Sequence, residues 1–160
     1  MSAAHASWPR DASTSLAIVS ISSGPMTVTY EWRGAFENAE MNALHAEAFA
    51  TRLFEEAEWN WVEQVARHSL GWVVARDEGD LVGFANVLWD GFVHAWLQDV
   101  MVAAKAQRRG VGVELVRRSR EAAANAGCDY LHVDFEKDLK PFYYDACGFA
   151  PTNAGIIELR

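Results

Sequence analysis

Apolar and polar positions along the first half of the chain predict two helices between strands. Residues that favour β-structure fill positions 26–32, and apolar residues then recur at helical spacing over positions 36–53 and 61–66. Two apolar runs at 72–75 and 81–89 flank the sequence Asp-Glu-Gly-Asp, which is typical of a turn. We therefore expect these two runs to form a β-hairpin.

The second half of the chain predicts strands that alternate with helices. The expected elements are a strand at 92–102, a loop at 103–109, a helix from 110 to about 126, a strand at 130–135, a short helix at 139–147 and a strand at 156–159. Antiparallel hairpins followed by a β-α-β crossover predict an α/β (α+β) fold. We expect a mixed, mostly antiparallel central sheet of about six to seven strands, flanked by about four helices.

Length and the N-terminal composition suggest one domain with an extension. Residues 1–25 are rich in Ala and Ser without a sustained period, although 16–19 could form a short strand. We predict that 1–25 form a mobile extension and that 26–160 form a single domain. No apolar stretch reaches the roughly 20 residues of a membrane span, and the N-terminus lacks the features of a secretory signal. The expected location is the cytoplasm, with no membrane partner.

Charge is distributed unevenly along the chain, whose formal net charge is −8. Six of the 14 basic residues, but only one of the 22 acidic residues, lie between positions 105 and 120. A basic patch on an acidic protein favours a local anionic ligand over general nucleic-acid binding, and the acidic remainder suits a cationic co-substrate. A solvated basic helix face is the alternative. Cys128 and Cys147 lie far apart, so we expect reduced thiols and no metal site.

Two glycines, Gly110 and Gly112, open the predicted helix that follows the 92–102 strand. The first amides of a helix lack intrahelical acceptors and lie at the positive end of its dipole, so they can bind a pyrophosphate. Gln107, Arg108 and Arg109 add donors and charge. A Walker A loop is excluded because Gly-Lys-Ser/Thr is missing, and a dinucleotide fingerprint is excluded because its third glycine is replaced by leucine.

The sequence Q-R-R-G-V-G at 107–112 resembles the Gln/Arg-x-x-Gly-x-Gly/Ala motif of the GNAT superfamily of acyltransferases. The preceding segment 97–102 resembles that family's central strand. A second segment, F-Y-Y-D-A-C-G-F at 142–149, is similar to the family's Phe-Tyr-x-x-x-Gly-Phe sequence. The resemblance extends over residues 26–159 and implies a small, single-domain N-acetyltransferase that uses acetyl-CoA as co-substrate.

The resemblance also implies positions for the cofactor and for the leaving group. The residues implied to bind CoA are Val100, Met101, Val102, Gln107, Arg108, Arg109, Gly110, Val111 and Gly112. The strand residues would bind pantetheine through their main chain, and the loop would bind pyrophosphate. Tyr144 corresponds to the family tyrosine that protonates the CoA thiolate, with Tyr143 as the adjacent alternative. Lys137 stands where many members have asparagine, which weakens the transfer of contacts from the last helix.

The general base is less well specified than the acid. Asp99, beside the implied pantetheine residues, is the first candidate. The alternatives are Asp134, Glu136, His94, His132 and a water relay. A direct-transfer mechanism requires no covalent acyl-enzyme, so we do not expect Cys147 to be a nucleophile.

The acceptor is expected to be a small-molecule primary amine. The region associated with acceptor binding in the family is aromatic and contains Phe54, Trp59, Trp61, Trp72, Trp89, Phe92 and Trp96. Trp89, Phe92 and Trp96 flank a turn and could line a pocket, although core packing is the alternative. Acetylation of a protein N-terminus or lysine, and acyl-CoA binding without turnover, are the competing hypotheses. A homodimer is possible but is not indicated by any residue.

Overall fold

A computed structural model describes residues 27–159. The predicted extension 1–25 and the start of the first predicted strand lie outside the described residues. The elements are β1 (Thr29–Trp32), α1 (Asn38–Phe49), α2 (Trp61–His68), β2 (Ser69–Asp77), β3 (Asp80–Trp89), β4 (His94–Val102), α3 (Val111–Asn125), β5 (Tyr130–Val133) and a C-terminal π-helix (Pro141–Ala146). This order confirms the predicted alternation from β1 to the π-helix.

The strands form one sheet in the order β1-β2-β3-β4-β5. All neighbours are antiparallel except β4 and β5, which are parallel and are connected through α3. The predicted hairpin turn between β2 and β3 is present, with Glu78 and Gly79 both at positive φ (51° and 93°). Such angles match the right-handed twist of the strands in a two-residue hairpin. The predicted mixed, mostly antiparallel sheet is confirmed.

The helices cover both faces of the sheet, as two consecutive residues of β3 demonstrate. Phe84 contacts the rings of Phe36 and Trp61, with centroids 5.6 and 6.1 Å away, on the side of α1 and α2. A Cβ on the neighbouring Gly83 would lie 3.0 Å from Leu115 of α3. Successive residues of a strand point to opposite faces, so α1 and α2 cover one face and α3 covers the other.

Two sequence predictions about the C-terminal part require correction. The sheet has five strands within residues 27–159, fewer than the six to seven expected, because residues 156–159 form no strand and are exposed. The helix predicted at 139–147 is a π-helix in which the Cys147 amide donates to the Phe142 carbonyl at 3.0 Å. Pro141 lies in its first turn, where a backbone N–H has no acceptor within the helix. The N–H that proline lacks therefore costs no helical hydrogen bond.

β4 separates from β5 halfway along its length. Their pairing ends at Leu97 and Val133, whereas β4 continues to Val102. Against β3 the register changes by one residue between the pairs Asn86–Gln98 and Phe84–Met101, and Asp99 within this bulge has a positive φ of 51°. Bulges redirect side chains and end strand pairing, and both effects occur here.

No helix in residues 27–159 is long and apolar enough to cross a membrane.

Candidate active site

Residues 107–112, which comprise the end of the loop after β4 and the first two residues of α3, form what we call the phosphate turn. Gly110 is the N-cap of α3 and has a φ of 82°. No side chain caps this helix start, so the first amides of α3 remain available to an external acceptor. A bound anion would also benefit from the helix dipole. The turn therefore fits the pyrophosphate of CoA.

The two glycines of the phosphate turn serve different purposes. Gly110 adopts a left-handed conformation, and a Cβ there would lie in open space. The positive φ, and not a lack of space, therefore explains why this position is a glycine. Gly112 has no such angle, but a Cβ there would lie 3.1 Å from the ring of Phe142 in the π-helix. Gly112 thus allows the two motifs found in the sequence, one in the turn and one in the π-helix, to come into contact.

Most cations in the basic segment 105–120 form ion pairs within the protein. The pairs are Lys105–Asp80, Arg109–Asp77, Arg117–Glu114, Arg117–Glu121 and Arg118–Glu114. Arg108 and Arg120 form no ion pair with any described residue. Of the two arginines in the phosphate turn, Arg108 is therefore available to an anion, while Arg109 binds the buried Asp77 at 2.9 Å.

The strand residues implied to bind pantetheine lie where β4 has lost β5. Val100, Met101 and Val102 follow the last β4–β5 pair, and Met101 is fully buried. The side-chain Nε2 of Gln107 donates to the Val102 carbonyl at 3.1 Å and joins this segment to the phosphate turn. Strand edges without a partner need other hydrogen-bonding groups, and an extended amide-containing ligand can supply them.

Asp99 occupies a polar site at the bulge of β4. Asn86 is buried, and its Nδ2 donates to Asp99 Oδ2 at 3.4 Å. Ser69 Oγ donates to Asn86 Oδ1 at 2.6 Å, which orients the amide nitrogen of Asn86 towards Asp99. Burial raises the pKa of Asp99, while the Asn86 hydrogen bond and the nearby His45 lower it. The net upward shift makes this carboxylate a stronger base than an exposed aspartate.

His45 on α1 is a neighbour of Asp99 that the sequence did not reveal. Its ring is buried among four aromatic side chains, namely Phe49, Phe54, Trp59 and Trp61, with centroids 5.0–6.0 Å away. Burial lowers the pKa of His45, and Asp99 opposes that effect. No motif marks this histidine; only the packing of α1 across β4 brings it close to Asp99.

A cavity of about 550 Å³, which we call the Asp99 cavity, opens at the separation of β4 and β5. Its apolar lining includes Phe49, Leu97, Phe135, Leu139 and Tyr143, and its acidic lining consists of Asp99, Asp134 and Glu136. The structure therefore brings the three carboxylates that sequence analysis considered as bases to one cavity.

The π-helix directs its two tyrosines to different places. Tyr143 lines the Asp99 cavity, is 6% exposed and stacks on Phe135 at a centroid distance of 4.4 Å. Burial raises the pKa of Tyr143 to about 12, which makes its phenol a weak acid. Tyr144 is half-buried and packs edge-on against the same Phe135 at 5.3 Å.

Tyr144 lines a second cavity, also of about 550 Å³, together with Trp96, Lys137 and Lys140. We call it the Lys140 cavity. Asp134, Phe135, Ala154 and Gly155 line both cavities. The structure thus does not place Tyr144 in the same cavity as Asp99, and Lys137 lies beside Tyr144.

The histidines considered as bases form a stacked pair on the outer part of β4 and β5. His94 Nδ1 lies 2.8 Å from His132 Nε2, and the ring of His132 stacks on Trp96 at 5.0 Å. His132 lines the Lys140 cavity, and neither histidine lines the Asp99 cavity. The pair is therefore less suited than the carboxylates to accept a proton there.

The aromatic residues predicted around the acceptor separate into three groups. Phe54, Trp59 and Trp61 surround His45, and Trp72 packs on Phe36 in the core. Trp89 pairs with Ala95, one position away from Trp96, so Trp89 and Trp96 point to opposite faces of the sheet. Trp89, Phe92 and Trp96 consequently do not line a common pocket.

Cys128 and Cys147 are free thiols, and burial raises the pKa of Cys147.

Comparison with known proteins gives one family for this chain. The sequence model of the Acetyltransferase (GNAT) family matches residues 30–149. A probable glucosamine 6-phosphate N-acetyltransferase 2 of Oryza sativa subsp. japonica is 43% identical over 53 residues. That match spans about a third of each protein, namely 33% of this chain and 31% of the rice protein.

Solved structures share the fold at low sequence identity. A GNAT family acetyltransferase from Streptococcus pneumoniae TIGR4 superposes with a TM-score of 0.65 and 20% identity, over 84% of this chain and all of that protein. The aminoglycoside N-acetyltransferase AAC(6')-Iy in complex with CoA gives a TM-score of 0.66 and 18% identity, over 86% and 98% of the two chains. Glucosamine-6-phosphate N-acetyltransferase from Arabidopsis thaliana gives 0.64 and 14%, over 81% and 97%.

These matches agree with the open helix start, the separated strands and the two motifs that meet at Gly112. The predicted class is an acyltransferase that uses acetyl-CoA, and that is the class of the matched family. The chain belongs to the GNAT family of acetyltransferases.

Proposed function

We propose that the protein transfers the acetyl group of acetyl-CoA to the primary amine of a small molecule, by direct attack within a ternary complex. The observation that carries this proposal is the separation of β4 from β5 between the phosphate turn and the Asp99 cavity. The proposed cofactor path follows the part of β4 that has no β5 partner, from the anion site at one end to the carboxylate-lined cavity at the other. The names of the rice and Arabidopsis relatives, which act on an amino sugar phosphate, support an amine acceptor.

The proposed cofactor contacts follow this path. The amides of residues 108–112 and the free guanidinium of Arg108 bind the pyrophosphate, with Gln107 fixing the turn to Val102. The main chain of Val100, Met101 and Val102 binds the pantetheine arm. Arg109 stabilises the turn through Asp77 rather than through the ligand.

Asp99 is the proposed general base. The acceptor reaches the cavity as an ammonium ion, and the carboxylate removes a proton directly or through water. The free amine then attacks the thioester carbonyl, so that a C–N bond forms and the C–S bond breaks. Asn86 holds the carboxylate in place. Proximity of the two reactants supplies most of the rate enhancement in such a direct transfer.

Tyr144 is the proposed proton donor to the departing thiolate. Phenols and alkyl thiols are in general similar in acidity, so a phenol can donate its proton to a departing thiolate. Tyr143 is the competing donor because it lines the Asp99 cavity. Burial raises the pKa of Tyr143 to about 12, which weakens its phenol as a proton donor, and its ring is part of the aromatic core.

Two measurements test the proposed function. Calorimetric titration with acetyl-CoA should give saturable binding; no binding at millimolar ligand would remove the cofactor assignment. Release of free thiol in the presence of a panel of small amines should then identify turnover. Saturable binding without thiol release from any amine, peptide N-terminus or lysine peptide would identify an acyl-CoA sensor instead.

A further inference from the structure

The charged residues that line the Asp99 cavity are all acidic. Three carboxylates line it, and no lysine, arginine or histidine is among the described residues that do so. Lys137 and Lys140, the basic residues nearest to Glu136 in sequence, line the neighbouring Lys140 cavity, which shares Asp134 with the Asp99 cavity. A phosphate group in the Asp99 cavity would therefore meet three carboxylates and no cationic side chain among the described residues that line it.

The three carboxylates differ in their surroundings. Asp99 is half-buried at the bulge and hydrogen-bonded to Asn86. Asp134 and Glu136 are exposed, and their carboxylates form no hydrogen bond or ion pair within the part of the chain that the structure describes. The apolar side chains of Leu97, Phe135 and Leu139 line the same cavity. The site thus combines an inner carboxylate, an apolar lining and two outer carboxylates without partners.

We propose that the acceptor is a dication: a primary amine on an apolar chain that carries a second positive charge, and no phosphate or carboxylate. This inference rests on the proposed function, because it assumes that the Asp99 cavity receives the acceptor. The reacting ammonium lies at Asp99, where it loses its proton. The second cation lies between Asp134 and Glu136, and the methylene chain contacts the apolar lining.

Acceptors of equal length test this proposal on the full chain. Thiol release from acetyl-CoA is measured with 1,5-diaminopentane, 1-aminopentane and 5-aminopentanoate, whose net charges at neutral pH are +2, +1 and 0. We expect kcat/KM to be at least about tenfold higher for the diamine than for the monoamine, and lowest for the amino acid. Glucosamine 6-phosphate should be a poorer acceptor than unphosphorylated glucosamine. The preference for the diamine should decline with increasing salt.

Variants of the two outer carboxylates test whether these residues cause the preference for the diamine. Combining Asp134→Asn with Glu136→Gln should reduce the diamine-to-monoamine ratio to about one. The matched control Asp138→Asn removes one exposed carboxylate that does not line the cavity and should leave the ratio unchanged. If the double variant lowers both rates equally, these carboxylates act on the chemical step and the proposal is wrong.

The remaining outcomes separate the two proposals. Thiol release without a charge preference, or with glucosamine 6-phosphate as the best acceptor, overturns the dication proposal and leaves the proposed function intact. Acetyl-CoA binding without thiol release from any amine overturns both.

Discussion

The phosphate turn and the Asp99 cavity differ in how the chain builds them. The turn consists of six consecutive residues with one helix start, and its main features are local. The cavity is formed by residues of α1, β4 and the segment from 134 to 156, which are distant in sequence. Local sequence therefore specifies the proposed cofactor turn, whereas tertiary packing specifies the proposed acceptor cavity. Changes in the turn should abolish binding, and changes in the cavity should abolish turnover without loss of binding.

The largest effect is expected from Gly112→Trp. A Cβ at this position already lies 3.1 Å from the ring of Phe142, so an indole must displace the π-helix or fill the turn. Acetyl-CoA binding, measured by calorimetry, should become undetectable at millimolar ligand. Ala124→Trp, on the exposed part of the same helix, is the matched control and should bind normally. Normal binding by the Gly112 variant would show that the turn is not the cofactor site.

Asp99→Asn should lower kcat by about 10²-fold or more, because a positioned general base contributes a factor of that order. Acetyl-CoA affinity should remain unchanged, which distinguishes the cavity from the turn. In the wild type, kcat should increase as the pH rises through the raised pKa of Asp99, because the carboxylate becomes ionised. This increase should be absent from the pH–rate profile of the variant. Asp138→Asn provides a carboxylate control. An unchanged pH–rate profile would exclude Asp99 as the base.

The same substitution should stabilise the fold at neutral pH. The pKa of Asp99 is raised in the folded state, so the ionised carboxylate is less favourable there than in the unfolded chain. This penalty is absent below about pH 3.9, where both states are protonated, and is complete above the folded-state pKa. Thermal unfolding should therefore give a higher Tm for the variant at pH 7 and an equal Tm near pH 3. A lower Tm at pH 7 would contradict the argument.

Tyr144→Phe should lower kcat by about 10- to 100-fold with little change in acetyl-CoA affinity, since only proton donation is lost. Tyr143→Phe is the matched variant in the same π-helix. It removes a buried hydroxyl from the Asp99 cavity and should leave kcat within about threefold of the wild type. The reverse result would assign proton donation to Tyr143.

The two arginines of the phosphate turn should give the smallest and most selective effects. Arg108→Ala removes an unpaired guanidinium and should weaken acetyl-CoA binding about tenfold without changing Tm. Arg109→Ala leaves the buried Asp77 without its cation and should lower the free energy of unfolding by about 1–3 kcal/mol. Calorimetry and thermal unfolding of both variants check this division. Equal losses of affinity and stability in both would contradict it.

Much of the fold could be predicted from the sequence because its signals are short-range. The hairpin at Glu78 and Gly79, the glycine at the start of α3 and the proline in the π-helix each depend on the backbone angles of one or two residues. The segment 156–159 is the exception. Its apolar sequence is typical of a strand, yet strand formation requires a partner, and the structure gives it none among the described residues.

The site was predicted less completely than the fold. Asp99 could be named as a candidate because it precedes the implied pantetheine strand, but its bulge depends on the register against β3. His45 and Asp99 are 54 positions apart in the chain, so no local sequence pattern indicates that they lie close together. Trp89 and Trp96 flank one turn in sequence, but the register directs them to opposite faces.

The sequence by itself determined the family, the order of the elements from β1 to the π-helix and the position of the phosphate turn. Each of these depends on residue types at short, fixed spacings. Those spacings belong to the sequence and do not depend on how the chain packs. Only the tertiary structure decided that Arg109 pairs with Asp77, that Tyr143 rather than Tyr144 lines the Asp99 cavity and that three carboxylates meet there. These outcomes depend on distances between elements that are far apart in the chain, and packing sets those distances.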